Sequence, residues 1–225
     1  MKAKNMIRKL HIGGVIKSDG WEILNANPAP YVDHVCNANN LSQFPDNTFS
    51  ELYASHIVEH LDYIDELKNT LTEWNRVLTP GGKIYISVPD LDILAKLILK
   101  KNELNINERF HVMRMLFGGH VDKYDYHVVG LNDEFLTEFL ADSGFVSITK
   151  VPSLGLFADT STMLFKGIPI SLNMIAEKRL MPQSLPEIEL GRQTDMRNSE
   201  TKEILLEVRR LQERRRNKMF WQFWI

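Results

Sequence analysis

The sequence has a single cysteine, Cys36, among its 225 residues. One thiol excludes an intrachain disulfide and any zinc site built from several cysteines. The sequence also has no apolar run of 18 residues and no apolar N-terminal segment of the kind found in signal peptides. We therefore expect no membrane span and no secretory leader, and we expect a cytoplasmic protein.

A charge excess of one sign is also missing. The chain has 27 Lys and Arg residues against 29 Asp and Glu residues, a formal net charge of -2. This balance gives no electrostatic basis for binding nucleic acid, so no nucleic-acid partner is expected. A composition of 44% hydrophobic and 25% charged residues is ordinary for a globular domain, and a chain of this length can bury a core.

What the sequence does contain is one strongly patterned stretch, residues 49–90. A short apolar strand pattern at 52–54 ends in a polar cluster, and residues 83–88 form a second strand pattern rich in β-branched residues. Between them Pro80-Gly81-Gly82 is expected to form a tight turn that ends a helix. Apolar residues at helical spacing predict that helix, and they are Ile64, Leu67, Leu71, Trp74, Val77 and Leu78. A strand, a helix and a second strand predict a βαβ unit and a parallel sheet.

The segments HIVEHL, RVL and TPGGKIYISVPDL of this stretch resemble the central part of class I S-adenosylmethionine-dependent methyltransferases. Within that class, they are most similar to a type-11-like group associated with the synthesis of cell-surface glycans. The resemblance implies an α/β fold with a doubly wound, mostly parallel, seven-stranded sheet of the Rossmann-like type. It also divides the chain into a methyltransferase domain, 1–180, and a linker with an appended C-terminal helix, 181–225.

The same resemblance implies where S-adenosylmethionine binds. A glycine-rich loop follows the first strand, where a backbone without Cβ lets the cofactor approach closely. The ribose is expected at the end of the second strand, the adenine in the loop after the third, and further contacts at the end of the fourth. The predicted cofactor-binding residues are His11, Gly13, Gly14, Asn25, Asn37, Ala38, Ser55 and His56.

Asn25 and Asn37 stand where relatives commonly have acidic residues. A carboxylate accepts hydrogen bonds from both ribose hydroxyls, whereas an amide has one acceptor oxygen. We therefore expect weaker ribose binding at Asn25. The change at Asn37 is milder, because its side-chain oxygen still accepts from the adenine amino group. These two amides keep a second hypothesis open, a catalytically degenerate binding or scaffold subunit.

Residues 117–130 concentrate histidine, aspartate, tyrosine and glycine in a predicted loop, and such loops favour binding and chemistry. In the resembling group this insert covers the acceptor pocket, and Asp125, His127 and Gly130 match its pattern. The predicted catalytic residues are His127 as the base, Asp125 as its partner, and His120 as a second candidate base, ahead of His56. The predicted acceptor-binding residues are Asp122, Tyr124, Tyr126 and, from a later loop, Ser161. A solvated loop with structural His–Asp hydrogen bonds is the alternative interpretation.

His56, Glu59 and His60 also form an H-x-x-E-H motif, which is typical of one class of zinc proteases. The motif follows a strand pattern rather than lying within a helix, so we predict no zinc protease. Glu59 and His60 are instead interpreted as caps of the following loop or as part of the site. Asp122, Asp125 and His127 could hold a divalent metal, but their spacing does not demand one, and no metal ligand is predicted.

The resemblance implies a function, the S-adenosylmethionine-dependent O-methylation of a sugar hydroxyl on a glycan or a nucleotide-linked sugar. The C-terminal region allows two interpretations. Residues 199–218 have the pattern of a helix that is acidic early and basic late, and an aromatic end follows at 219–225. Such a segment suits contact with a membrane surface. It also suits packing on its own domain or on a sister subunit of a homo-oligomer, which we favour.

Overall fold

The computed structural model describes residues 8–180 of the chain. Its strands are β1 (Lys9–Ile12), β2 (Trp21–Asn25), β3 (His34–Val35), β4 (Phe49–Ser55), β5 (Leu78–Pro89), β6 (Phe145–Val151), β7 (Leu164–Phe165), β8 (Ile168–Pro169) and β9 (Ser171–Lys178). Its α-helices are α1 (Glu66–Val77), α2 (Leu91–Leu99), α3 (Ile106–Phe117) and α4 (Asp133–Asp142). The predicted C-terminal helix and aromatic end lie outside the described residues. None of the helices within 8–180 is long and apolar enough to cross a membrane.

Seven strands form one sheet in the order β3-β2-β1-β4-β5-β9-β6. The first five are parallel to one another, and β9 is antiparallel to both of its neighbours. The predicted seven-stranded, mostly parallel sheet is therefore confirmed. In such sheets ligands bind outside the carboxyl ends of the strands where the strand order reverses, which here lies at β1 and β4.

One face of the sheet is covered by α1 and α4, and we call it the helix-covered face. The apolar residues that alternate along β1, β4, β5 and β9 point to this face and share one core with the two helices. Leu67, Leu71, Trp74 and Val77 of α1 are fully buried there. The helical spacing predicted from the sequence is thus confirmed for these four residues.

The opposite face, here the loop-covered face, has a core of Trp21, Tyr53, Leu154 and Phe157. The first two come from strands and the last two from the loop after β6, and no helical residue between 8 and 180 joins them. Within residues 8–180, this face therefore lacks the helices that a doubly wound sheet would place on it. The physical reason lies in the connections 13–20 and 26–33, which contain no helix and are shorter than the dozen or more residues that a helical crossover needs.

Two local predictions also need correction. Pro80, Gly81 and Gly82 lie within β5, which begins at Leu78 directly after α1, but they interrupt its pairing: Leu78 pairs with Phe49 and Lys83 with Glu51. The positive φ of Gly81, 75°, accommodates this path, and the pairing of β4 with β5 shifts register between Phe49 and Glu51. Ile64 precedes α1 and is 67% exposed. Its place in the apolar spacing therefore does not reflect burial.

Candidate active site

A cavity of about 310 Å³ opens at the carboxyl ends of β1, β2 and β4. Five of the predicted cofactor-binding residues line it, namely Gly13, Asn25, Asn37, Ala38 and His56. The other lining residues are Leu24, Ala26, Asn27, Asn39, Ile57, His60, Leu61, Glu66 and Tyr124. The cavity thus lies where the strand order of the sheet predicts a ligand.

Close packing after β1 leaves no room for a side chain at Gly13 or Gly14. Gly13 has a φ of +74°, which favours glycine, and its N–H donates to the Leu24 carbonyl over 2.7 Å. A Cβ on Gly13 would collide with the side chain of Ile57. A Cβ on Gly14 would lie 2.7 Å from the His11 ring. The tight turn places the Gly13 backbone at the cavity, whereas Gly14 does not line it.

Asn25 ties the end of β2 to the glycine turn. Its Nδ2 donates to the Gly14 carbonyl over 3.2 Å, and its Oδ1 accepts from the Asn27 N–H over 2.9 Å. A carboxylate could not donate to Gly14, so the amide has a structural role at this position. The Oδ1 atom keeps a second lone pair for a ligand.

The loop after β3 forms another wall of the cavity with Asn37 and Ala38. The indole N–H of Trp74 donates to the Ala38 carbonyl over 2.8 Å, which attaches this loop to the buried helix α1. Asn37 is exposed at the cavity. Its amide is therefore accessible to a ligand.

His11 and Ser55 are predicted cofactor residues that do not line the cavity. His11 is 4% exposed and lies on the loop-covered face, with its ring 4.2 Å from that of Phe157 and 4.9 Å from that of Tyr53. Burial lowers the pKa of His11 to about 4, although the charge of Asp159 acts in the opposite direction. His11 is therefore a neutral core residue, and alternation along β1 explains why it points away from the site.

His56 follows β4 with a φ of +55°, a left-handed conformation that is uncommon for a residue other than glycine. Its Nε2 lies 3.1 Å from Ser171 Oγ, and its Nδ1 lies 3.2 Å from Glu59 Oε1. The strained backbone directs the imidazole toward the turn Val58–His60 rather than along the strand.

The loop 118–130 is fastened to this turn by hydrogen bonds. The Val128 N–H donates to the Glu59 carbonyl over 2.9 Å, and His60 Nδ1 lies 3.1 Å from the Tyr126 carbonyl. Tyr124 from the same loop reaches the cavity. This arrangement brings the predicted acceptor loop to the edge of the predicted cofactor site.

His127 lies beside His60, with 4.8 Å between the ring centroids. Burial lowers the pKa of His127 below its ordinary value, while the negative charge of Glu59 acts to raise it. No hydrogen bond joins His127 to Asp125 among the contacts of the described chain. The carboxylate grouped with His127 is Glu59, with ligand-type atoms of Glu59, His60 and His127 all within 4.8 Å of one another.

Asp125 instead organises its own loop. Its Oδ2 accepts from the Val121 N–H over 3.2 Å. Desolvation raises the pKa of Asp125, but hydrogen bonds from the Val121 and Gly119 backbone and the charge of His127 bring it below the ordinary value. The predicted Asp125–His127 pairing is therefore replaced by two separate roles in the structure.

The remaining predicted residues lie away from the cavity lining. His120 stacks on Tyr126 with 4.0 Å between ring centroids, and its Nε2 contacts the Phe117 carbonyl. Asp122 accepts from the Tyr124 N–H over 2.7 Å as part of the loop. Ser161 is buried on the loop-covered face, 3.3 Å from the Tyr53 hydroxyl. Of the four predicted acceptor residues, Tyr124 alone lines the cavity.

Sequence reasoning missed the contributions of Ile57, Asn39, Leu61 and Glu66 to the cavity lining. Asn39 Nδ2 donates to Glu66 Oε1 over 2.7 Å, which joins the loop after β3 to the start of α1. No motif in the sequence indicates that contact. Glu59 and His60 did stand out through the H-x-x-E-H spacing, but their proximity to His127 depends on the fold.

Residues 21–86 match the profile of a family described as a methyltransferase domain. The matched segment runs from β2 into β5 and contains Asn25, Asn37, Ala38 and His56. No curated protein matches the sequence. The family match and the position of the cavity support a class I methyltransferase domain that uses S-adenosylmethionine as its cofactor.

Three solved structures are among those to which the chain is similar. CurJ carbon methyltransferase is 14% identical with a TM-score of 0.45, over 77% of this chain and 48% of the other. A SAM-dependent methyltransferase from Archaeoglobus fulgidus is 17% identical with a TM-score of 0.49, over 78% and 87%. One from Methanosarcina mazei is 16% identical with a TM-score of 0.48, over 80% and 95%. The chain thus spans about half the length of CurJ carbon methyltransferase.

Proposed function

We propose that this chain is an S-adenosylmethionine-dependent O-methyltransferase that acts on a sugar hydroxyl of a glycan or a nucleotide-linked sugar, with residues 1–180 as its catalytic domain. The observation that carries this proposal is the cavity at the carboxyl ends of β1, β2 and β4. It is lined by five residues that the sequence had assigned to the cofactor, and four of them lie within the segment that matches a methyltransferase family.

The residues of this cavity fit the cofactor with fewer hydrogen bonds than a carboxylate-lined site would provide. Asn25 Oδ1 accepts one N–H and keeps one lone pair for a ribose hydroxyl. The exposed amide of Asn37 can accept from the adenine amino group. The sulfonium carbon of the bound cofactor supplies the methyl group, and Gly13 and Ile57 line the cavity together at the end of β1.

The other side of the cavity supplies groups for an acceptor. Methyl transfer is an in-line displacement that requires alignment of the acceptor and removal of its proton. His56 and His60 line the cavity, and His127 lies directly behind His60. Tyr124 and Tyr126 are 43% and 49% exposed, so their rings are accessible to the apolar face of a sugar. Imidazole and tyrosine side by side therefore suit a hydroxylated acceptor.

Titration calorimetry with S-adenosylmethionine and S-adenosylhomocysteine tests the proposal. We expect the full chain to bind both, and Asn37→Ala to weaken binding by up to about tenfold, which corresponds to roughly one lost hydrogen bond. Asn69→Ala is the matched control, because Asn69 is exposed on α1 and does not line the cavity. Methyl transfer to sugar nucleotides and glycans, followed by mass spectrometry, then identifies the acceptor.

A degenerate binding or scaffold subunit is the second candidate function. Two observations favour it: Asn25 is engaged with Gly14, and Ile57 occupies the space above Gly13. A folded chain that binds neither S-adenosylmethionine nor S-adenosylhomocysteine would contradict the enzyme proposal and support this alternative.

A further inference from the structure

A buried carboxylate without a hydrogen-bond donor lies next to the cavity. Glu59 is 1% exposed, and neither of its carboxylate oxygens has a hydrogen bond of acceptable geometry among the described residues. His56 Nδ1 is 3.2 Å from Oε1, close enough for an ion pair. Burying a carboxylate is strongly unfavourable unless a cation accompanies it. A bound cation at this point would balance the charge of an ionised Glu59.

Two imidazoles converge on the same point. Ligand-type atoms of Glu59, His60 and His127 all lie within 4.8 Å of one another, so small side-chain rotations would let one ion contact all three. Zinc binds histidine nitrogen and carboxylate oxygen at about 2.0–2.2 Å, and two histidines with one glutamate form a known catalytic zinc set. Such three-residue sets leave coordination positions open for a water or a substrate.

The surrounding backbone holds the imidazoles as metal ligands are usually held. His60 Nδ1 lies 3.1 Å from the Tyr126 carbonyl, which can only accept, so Nδ1 carries the proton and Nε2 presents its lone pair. Metal-binding histidines usually donate their second ring N–H in this way. The Glu59 carbonyl also accepts from the Val128 N–H, which fixes the two segments relative to each other.

The geometry points to a site for one divalent transition-metal ion, held by Glu59, His60 and His127 at the edge of the cavity. Imidazole nitrogen favours ions such as Zn²⁺, Co²⁺ and Fe²⁺, whereas Mg²⁺ prefers oxygen ligands. Of the three residues, His60 lines the cavity, so the ion would lie at its edge.

The ion would act on the acceptor, and this role rests on the proposed methyl transfer. A hydroxyl oxygen bound to a divalent metal loses its proton more readily, as water does on zinc. The ion would also fix the hydroxyl next to the cofactor pocket. The proton would pass to solvent through the cavity, because both ring nitrogens of His56 already have polar neighbours, Glu59 Oε1 and Ser171 Oγ.

A Co²⁺ titration of the untagged, chelator-treated full chain tests the site without any cofactor. We expect one equivalent of Co²⁺ with visible absorption bands, displacement by Zn²⁺, and much weaker binding of Mg²⁺. His127→Ala and Glu59→Gln should each weaken Co²⁺ binding by at least about tenfold. His111→Ala is the matched control, because His111 is exposed on α3 and outside the cluster.

Thermal unfolding of the metal-free proteins separates loss of the site from loss of the fold. Glu59→Gln removes a buried charge at constant shape, so the metal-free variant should melt at the same temperature as the metal-free parent or higher. Zn²⁺ should then raise the melting temperature of the parent but not of the variant. Failure of Zn²⁺ and Co²⁺ to bind the parent, or equal binding by His127→Ala, would overturn the site.

The titration also distinguishes this inference from the proposed function. A chain that binds Co²⁺ but not S-adenosylmethionine would retain the metal site and lose the methyltransferase proposal. A chain that binds S-adenosylmethionine but no transition metal would support the methyltransferase proposal and contradict the metal site.

Discussion

The two faces of the sheet are stabilised by different means. On the helix-covered face, α1 and α4 bury apolar side chains almost exclusively. On the loop-covered face, the strands present His11, Tyr53, Ser87 and Asn173, all nearly inaccessible to solvent, beneath a loop. A helix with a continuous apolar stripe covers apolar residues, whereas a loop brings side-chain and backbone groups that can pair with polar ones. The loop accepts hydrogen bonds from the Tyr53 hydroxyl and from Asn173 Nδ2, although Ser87 Oγ has no hydrogen bond among the described residues. Polar groups in this sheet are therefore concentrated where the helix is missing.

The largest loss of stability is expected for the substitution Trp74→Ala, on the helix-covered face. Trp74 is fully buried and its indole donates to Ala38, so its loss should reduce the free energy of unfolding by about 3–5 kcal/mol in urea denaturation. Phe157→Ala, on the loop-covered face, should have a smaller effect, since Phe157 is 8% exposed under a loop. Equal losses for the two variants would contradict the distinction between the faces.

A pH-dependent loss of stability is expected from His11 on the loop-covered face. His11 has a pKa of about 4 in the folded state, against an ordinary value of 6.5. As the pH falls from 6.5 to 4, the unfolded chain takes up a proton that the folded chain does not. Stability should then decrease by roughly 3 kcal/mol over this window. His11→Leu should lose this component, measured as the difference between parent and variant in urea denaturation at each pH. An identical pH dependence in both proteins would exclude His11 as its source.

A smaller effect should come from the polar attachment of the covering loop. The Tyr53 hydroxyl donates to Asp159 Oδ2 over 2.8 Å, and burial raises the pKa of Tyr53, so it remains a donor. Tyr53→Phe should lower the free energy of unfolding by about 1–2 kcal/mol, because one oxygen of Asp159 loses its donor. Tyr63→Phe, at a ring that is 53% exposed, should leave the stability unchanged. No difference between the two variants would indicate that packing alone holds the loop.

The smallest change in stability is expected at the cavity, at the carboxyl ends of the strands. Asn25→Asp removes the donor to the Gly14 carbonyl and should cost about 1 kcal/mol of stability. The carboxylate should nevertheless bind S-adenosylmethionine several-fold more tightly, because it can accept from both ribose hydroxyls. Calorimetric titration measures the affinity. Weaker binding by the variant would show that the Asn25–Gly14 hydrogen bond shapes the cavity.

Helices and strands with a regular spacing of apolar or β-branched residues could be predicted from the sequence. The spacing of Leu67, Leu71 and Trp74 predicted α1, and the β-branched residues of 83–88 predicted half of β5. The absence of helices from the loop-covered face was not predicted, because the resemblance implied helices on both faces of the sheet. The connections 13–20 and 26–33 show the absence only through their length.

The candidate site was predictable where it follows strand ends and unpredictable where it depends on side-chain direction. The residues that line the cavity as expected lie at or just after strand ends, namely Gly13, Asn25, Asn37, Ala38 and His56. His11 also belongs to such a strand, but alternation turns its ring to the other face. The contact of Glu59 with His127 joins two distant segments, and such a contact has no local pattern in the sequence.

The position of β9 has a consequence for how the chain is made. β9 pairs between β5 and β6, yet it follows both of them in sequence. During vectorial synthesis, the edges of β5 and β6 stay unpaired until Ser171–Lys178 have emerged from the ribosome. Exposed strand edges favour association with other chains, and pairing of sequence-distant strands is slow. A nascent chain stalled before Ser171 would therefore present two open edges to chaperones and to its neighbours on the same messenger RNA.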